Sequence, residues 1–155
     1  MRLYCEAERR FIYENPIPAA TGIVTNEAGE ILLIRRNRQP GKNLWALPGG
    51  FIEMKESPAD AARREIEEEC GIACHEPSLV DIIYQESAFF GGSILIIGYS
   101  FASFDGKLRA GDDAEEARFY SLDDLPRLAF ESHGRMIRRF LARRDELRRL
   151  WSEGI

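Results

Sequence analysis

Histidine and cysteine, the side chains that most often carry metal, redox or nucleophilic chemistry, are scarce in this sequence. Its 155 residues include two histidines, His75 and His133, and three cysteines, Cys5, Cys70 and Cys74. An odd, sparse set of thiols excludes a disulfide framework and fits a reducing, cytoplasmic setting. Cys70 and Cys74 have no second pair nearby, which excludes a zinc ribbon. Long apolar runs are missing as well. The opening MRLYCEAERRF is too polar for a signal peptide, and nothing elsewhere reaches the ~20 apolar residues of a membrane-spanning helix, so no membrane partner is expected. Positive charge is not in excess either. With 21 Lys and Arg against 26 Asp and Glu, the net charge is −5, which argues against a general nucleic-acid binder. Internal repeats and low-complexity tracts are absent.

What is present suffices for one domain with a real core, since 45% of the residues are hydrophobic. The expected organisation is a single domain over 1–155, with an N-terminal arm at 1–18 and a C-terminal helix at 132–151.

The most informative stretch is GFIEMKESPADAARREIEEECGI, from Gly50 to Ile72. Ser57 suits a helix N-cap, Pro58 the first helical position, and Asp60 the positive end of the helix dipole. Gly71 supplies the stop. Ala59, Ala62, Ile66 and Cys70 recur at helical spacing as an apolar face. Glu65, Glu68 and Glu69 lie at i, i+3 and i+4, so three carboxylates share the other side and repel. A bound hard cation, Mg²⁺ or Mn²⁺, is the simplest compensation; a merely solvated acidic helix is the bland alternative. Glu67 points away from the cluster. Arg64, one turn before Glu68, pairs with it.

Gly50, Glu56, Arg64, Glu65, Ile66, Glu68, Glu69, Gly71 and Ile72 together fit G-x5-E-x7-R-E-U-x-E-E-x-G-U, with U a bulky apolar residue. This pattern resembles the Nudix box at every constrained position. The resemblance implies an α/β fold, an α/β/α sandwich around a mixed β-sheet. It implies Glu65, Glu68 and Glu69 as metal ligands and Arg64 as the residue that orients them. Glu56 would support the loop or reach a further metal through water, and a carbonyl of Gly49 or Gly50 would complete the metal shell. Substrates of the family are typically a nucleoside diphosphate linked to another group. The stretch from LPGG through the box to LDDLP and LAFESH looks most like the ADP-ribose pyrophosphatase group.

Elsewhere the chain reads as alternating strands and loops. Asn15–Pro18 breaks regular structure. Ala19–Thr25 and Glu30–Arg36 flank a turn and read as a β-hairpin. Arg35, Arg36 and Arg38 form either a solvated edge or a phosphate contact. Leu44–Leu47 is a short strand before Pro48-Gly49-Gly50. Ser78–Glu86 and Ser93–Phe104 are strands joined by Phe89–Gly92; Ser93–Tyr99 is apolar on both faces and therefore central. Residues 105–118 read as an acidic loop, followed by a short strand at Phe119–Leu122. In the C-terminal helix, Met136, Ile137, Phe140, Leu141, Leu147, Leu150 and Trp151 supply an apolar stripe amid many arginines.

Carboxylates around Mg²⁺ suit phosphoanhydride hydrolysis, because the ion neutralises phosphate oxygens and activates a water. For the general base the favoured residue is Glu116, three before Phe119, with Glu115, Asp112 and Asp113 behind it. Trp45, Phe51, Tyr84, Phe89 and Phe90 are either core or stacking partners for a nucleobase. His133 reads as structural. The leading reading is a metal-dependent pyrophosphohydrolase of nucleoside diphosphate derivatives. Two others stand beside it: a house-cleaning nucleoside triphosphate pyrophosphatase, and a binding module without catalysis, although such modules usually lose box acids that are intact here. The arm and the terminal helix make a homodimer an expectation.

Overall fold

The computed structural model describes residues 3–153; the two outermost residues at each end of the expected domain lie outside the described residues. The elements in order are β1 (Leu3–Cys5), β2 (Arg10–Ile12), β3 (Ile17–Val24), β4 (Ile31–Arg36), β5 (Trp45–Ala46), β6 (Gly49–Phe51), α1 (Pro58–Cys70), β7 (Ile72–Ser87), β8 (Gly92–Gly106), β9 (Ala114–Tyr120), a 3-10 turn at Leu122–Asp124, and α2 (Glu131–Ser152). The arm is a small antiparallel hairpin of β1 and β2. A four-stranded sheet runs β6-β3-β8-β7, with β3 parallel to β8 and the other neighbours antiparallel. An antiparallel sheet of three strands runs β5-β4-β9.

β3 and β4 do not form the expected hairpin. They share one bridge, Thr25 to Ile31, and then splay into different sheets. The reason is that both are middle strands. β3 gives its edges to β6 and β8, and β4 gives its edges to β5 and β9, so neither keeps an edge for the other. The acidic segment is also not all loop. β9 begins at Ala114, and Ala114, Ala117 and Phe119 pack inward between the charged positions. Of the break expected at Asn15–Pro18, Asn15 and Pro16 are irregular, while Ile17 and Pro18 join β3, whose parallel register with β8 starts at Ile17 opposite Ile94.

Two core clusters sandwich the strand layer. Ala61, Ala62, Ile66 and Cys70 of α1 pack on Ala20 and Val24 of β3 and on Leu32 and Ile34 of β4. Met136 and Ile137 of α2 pack on Ile23 of β3, Ile31 and Leu33 of β4, and Ile94 and Ile96 of β8. Period-2 alternation along β4 thus sends successive residues to opposite helices. The α/β/α sandwich with a mixed sheet is the fold observed.

The signals at the ends of α1 act as its sequence implies. Ser57 is extended at the N-cap and its hydroxyl accepts from the Asp60 N–H; Gly71 closes the helix in the left-handed region at φ 71°. The buried face is Ala61, Ala62, Ile66, Glu69 and Cys70, so it is rotated from the expected one and replaces Ala59 with a carboxyl group. Among the described residues no helix is long and apolar enough to cross a membrane.

Candidate active site

α1 delivers Arg64, Glu65 and Glu68 to the lining of a cavity of about 900 Å³, whereas Glu69 is buried and outside that lining. The geometry is set by Arg64, which bonds four partners at once. Its Nε and Nη2 donate to the two carboxylate oxygens of Glu56 at 3.1 and 2.8 Å. Its Nη1 donates to Glu65 at 2.8 Å and to Glu68 at 3.1 Å, and Nη2 also reaches the Phe51 carbonyl at 3.1 Å. A planar guanidinium has the donor fork that this arrangement demands, and an ammonium does not. The carboxylates raise the Arg64 pKa, Glu56 most, and Arg64 in turn holds Glu56 below its ordinary value. Glu56 also accepts the Glu53 N–H at 2.6 Å. It is therefore the loop support, and it is not among the residues lining the cavity.

Glu69 differs from the other two acids. It is 2% exposed, and its Oε2 accepts the Gly49 N–H at 2.9 Å. Burial pushes its pKa up to about 8, reinforced by Glu65 and Asp112. Burial raises Glu65 as well, against the pull of Arg64. Gly50 packs on the Glu65 carboxyl so closely that an added Cβ would come within 2.3 Å of its Oε1, so a larger residue there would displace that carboxyl. Glu68 is exposed at the cavity rim and Glu67 faces solvent.

The donor set fits a divalent cation in kind. Glu65, Glu68 and Glu69 present only hard oxygens, and two of them bear raised pKa values that a cation would relieve. Among the described residues no three such groups already stand as a closed ligand cluster; Arg64 occupies Glu65 and Glu68 instead.

The box lies between two unlike ends of the cavity. Arg36 and Arg38 line one end with Phe130 and His133, and Phe51, Phe89 and Phe90 line the other. The aromatic end is a run of edge contacts, Phe51 to Phe90 at 5.2 Å and Phe90 to Phe89 at 5.0 Å. At the basic end Arg38 pairs with Asp113, and Arg36 lies over the Phe130 ring. His133 is buried, its Nδ1 accepts the Leu47 N–H at 3.0 Å, and burial lowers its pKa to about 3. Buried Cys70 and Cys74 have raised pKa values, Cys74 to about 11, which keeps both thiols protonated and unreactive.

Several of the sequence candidates do not line this cavity: Glu56 and Glu69 of the box, held by Arg64 and by the Gly49 N–H, and also Glu115, Tyr84, Arg35, Trp45 and Glu116. Arg35 pairs in register with Trp45 on one side and Glu116 on the other, so all three share the strand face that looks toward α2. Arg35 bonds ionically to Glu116 at 3.4 Å and to Glu115 at 3.7 Å, while Trp45 stacks edge-on against Tyr120 at 4.8 Å. None of the three lines the cavity, whereas Arg36, Phe51, Gly50, Arg64, Glu65 and Glu68 do. Asp112, a fallback for the base, is in the lining too. Alternation along β4 holds the signal for this, since it assigns the adjacent Arg35 and Arg36 to opposite sides, and the register shift between them leaves Arg36 in the cavity lining. His133 and Phe130 come from a segment far along the chain and give no local signal.

Comparison with known proteins agrees with this geometry. The NUDIX domain family model matches residues 15–140. The ADP-ribose pyrophosphatase of Methanocaldococcus jannaschii is 38% identical over 130 residues, covering 84% of this chain and 76% of that protein. The MutT NUDIX hydrolase of Burkholderia pseudomallei superposes with a TM-score of 0.75 at 30% identity, covering 81% of this chain and 98% of that one. The NUDIX domain of Shewanella oneidensis NrtR, crystallised with ADP ribose, also gives 0.75 at 20% identity, over 90% of this chain and 93% of that one, a likeness that speaks for the fold alone. With a complete box on α1, an α/β/α sandwich around it and these relatives, the chain belongs to the Nudix family and is a Nudix hydrolase.

Proposed function

We propose that the enzyme is a Mg²⁺-dependent pyrophosphohydrolase, with Mn²⁺ as a substitute ion, acting in the cytoplasm on nucleoside diphosphates linked to a second group, of the ADP-ribose type. The observation that carries this reading is the pairing of a buried, charge-starved Glu69 with the Arg64 clasp on Glu65 and Glu68. Glu65, Glu68 and Glu69 would hold the ion, with a carbonyl of Gly49 or Gly50 beside them. When bound, the ion supplies charge neutralisation at the diphosphate and acidifies a water.

The chain's own residues do the rest. Arg64 fixes the directions of the Glu65 and Glu68 carboxylates. Asp112, which lines the cavity where Glu116 does not, accepts the proton of the attacking water. Arg36 binds an anionic end of the substrate, and Phe51 with Phe90 provides an aromatic wall for the base. A homodimer forms part of the proposal, through exposed apolar residues such as Leu3, Tyr4, Phe11 and Ile12 of the arm or Leu79, Ile82 and Tyr84 of β7; sedimentation at micromolar concentration reads it.

The deciding experiment incubates the protein with Mg²⁺ and a panel of ADP-ribose, NADH, dinucleoside polyphosphates and dNTPs in ¹⁸O water. AMP and ribose phosphate from ADP-ribose are the expected products. Preferential turnover of dNTPs would move the enzyme to the house-cleaning class. Tight binding of one compound without turnover of any would sink the hydrolase reading.

A further inference from the structure

We propose that Phe130 is a positioning residue for the reaction: its ring, backed by His133, holds the Arg36 guanidinium at the basic end of the cavity in the attitude that receives an anionic group of the substrate. The inference rests on the cavity being a phosphoanhydride site, as proposed above.

Arg36 ends β4 on the cavity side and is partly buried. Its Nε donates to the Pro40 carbonyl at 2.7 Å, and its Cζ stands 5.1 Å from the Phe130 ring centroid. One edge and one face of the guanidinium are thereby fixed. Among the described residues its two terminal nitrogens bond to no acceptor, which leaves them as a fork for a phosphate or carboxylate. A cation over an aromatic face gains more as solvent is removed, and Arg36 is desolvated enough that burial depresses its pKa.

Phe130 occupies a position that favours another residue type. It is the N-cap of α2, with φ −130° and ψ 133°, and it makes no side-chain cap bond. Serine, threonine, aspartate or asparagine would satisfy the free N–H groups there. The aromatic ring does something else in that place, and its surroundings show what. Arg36 stands over the ring, the His133 ring lies 5.0 Å away and inclined by 68°, and the ring also packs against the core cluster beneath α1. His133 is pinned to the strand layer by the Leu47 N–H. The backbone leading into Phe130 is pinned as well, since the Ala129 N–H donates to the Trp45 carbonyl at 2.7 Å and Leu128 bridges to Trp45. The ring is thus a fixed shelf, reached through two anchors, at Trp45 of β5 and at Leu47 just after it, with a phosphate-binding side chain laid across it.

The test is calorimetric binding of inorganic pyrophosphate in metal-free buffer, with the thermal midpoint of each variant checked. Phe130→Leu should weaken binding about five- to tenfold, and Phe130→Tyr, which keeps a ring face, should stay within about twofold. In an Arg36→Gln background Phe130→Leu should add less than about twofold, because the group it positions is gone. Phe130→Met serves if the leucine variant does not fold. In turnover the same factor should appear in KM for ADP-ribose, with kcat nearly unchanged. The inference is overturned if Phe130→Leu binds like wild type, if it weakens binding equally with and without Arg36, or if wild type binds no pyrophosphate. The expected binding pattern with no cleavage of any nucleoside diphosphate derivative would remove the proposed function and leave Phe130 in its role. Cleavage with a KM indifferent to Phe130→Leu would do the reverse.

Discussion

The Leu47-Pro48-Gly49 stretch is gripped from both sides of the strand layer, and the two grips differ in kind. From α1, Glu69 accepts the Gly49 N–H; from α2, His133 accepts the Leu47 N–H. Burial shifts both toward the neutral form, Glu69 up to about 8 and His133 down to about 3. A neutral imidazole is complete in this setting, because its lone pair is used and no charge is desolvated. A carboxyl group is not, since burial with Glu65 and Asp112 disfavours its charged form more than the Gly49 N–H and Arg36 favour it, and a bound cation would tip the balance back. The same pattern repeats around the two anchors. The face toward α1 gathers Arg64, Glu65, Glu68 and Arg36, which chemistry can use. The face toward α2 holds Arg35, Trp45 and Glu116 in ion-pair and ring contacts that shape the layer. Under the proposed function, similar strands serve reaction on one side and architecture on the other.

The largest effect expected is on the α1 anchor. Glu69→Gln keeps an acceptor for the Gly49 N–H and the same volume but removes the anionic ligand. Turnover should fall about a thousandfold, while the thermal midpoint of the metal-free protein stays the same or rises, because a buried acid has been replaced by a neutral group. Loss of stability with retained turnover would erase the contrast between the anchors. Next comes the base. Asp112→Asn should lower kcat about a hundredfold and Glu116→Gln less than about threefold. A hundredfold loss for Glu116→Gln would put chemistry on the α2 face and break the comparison at its centre.

The parts of this arrangement that were legible in the sequence are the local ones. The cap at Ser57, the stop at Gly71 and the helical spacing of Glu65, Glu68 and Glu69 all lie within one helix, where neighbours in sequence are neighbours in space. β8 declared itself central by being apolar on both faces. The hairpin of β3 and β4 misled because a turn between two apolar runs does not say that each strand will find partners elsewhere for both its edges. Glu116 looked suitable because an acidic run resembles a loop; Ala114, Ala117 and Phe119, spaced to pack inward, carried the strand signal within it. Phe130 and His133 had no readable link to Leu47 or Arg36, since contacts across 86 residues depend on how sheets stack rather than on local pattern.

The α2 anchor should show itself through pH rather than through rate. The folded pKa of His133 is lowered to about 3 from an unfolded value of 6.5, so between these values the unfolded chain takes up a proton that the folded chain refuses. Its contribution to stability is therefore present above pH 6.5 and is lost as pH falls toward 3. Between pH 7 and pH 5 the loss is about 2 kcal/mol. His133→Asn places an amide oxygen near the position of Nδ1 and has no proton to gain. Urea unfolding of both proteins in metal-free buffer should give stabilities that converge as pH drops from 7 to 5. A difference independent of pH would mean that His133 accepts its proton in the folded state and is not the neutral anchor described.

The smallest effect sets two adjacent residues against each other. Arg36 and Arg35 differ by one position on β4, and alternation sends the first to the cavity and the second to the α2 face, where it meets Glu115 and Glu116. Arg36→Gln removes a charged fork that faces the substrate and should raise KM about tenfold, the scale of one charge-assisted hydrogen bond. Arg35→Gln should leave KM within about twofold. Its effect on stability should be slight as well, because its pairs with Glu115 and Glu116 are half-exposed and its buried Nε has no partner to lose. Equal KM effects would mean that the bulge between Arg35 and Arg36 lets both side chains reach the same side, and the division of labour between the two faces would then end one residue earlier than the register places it.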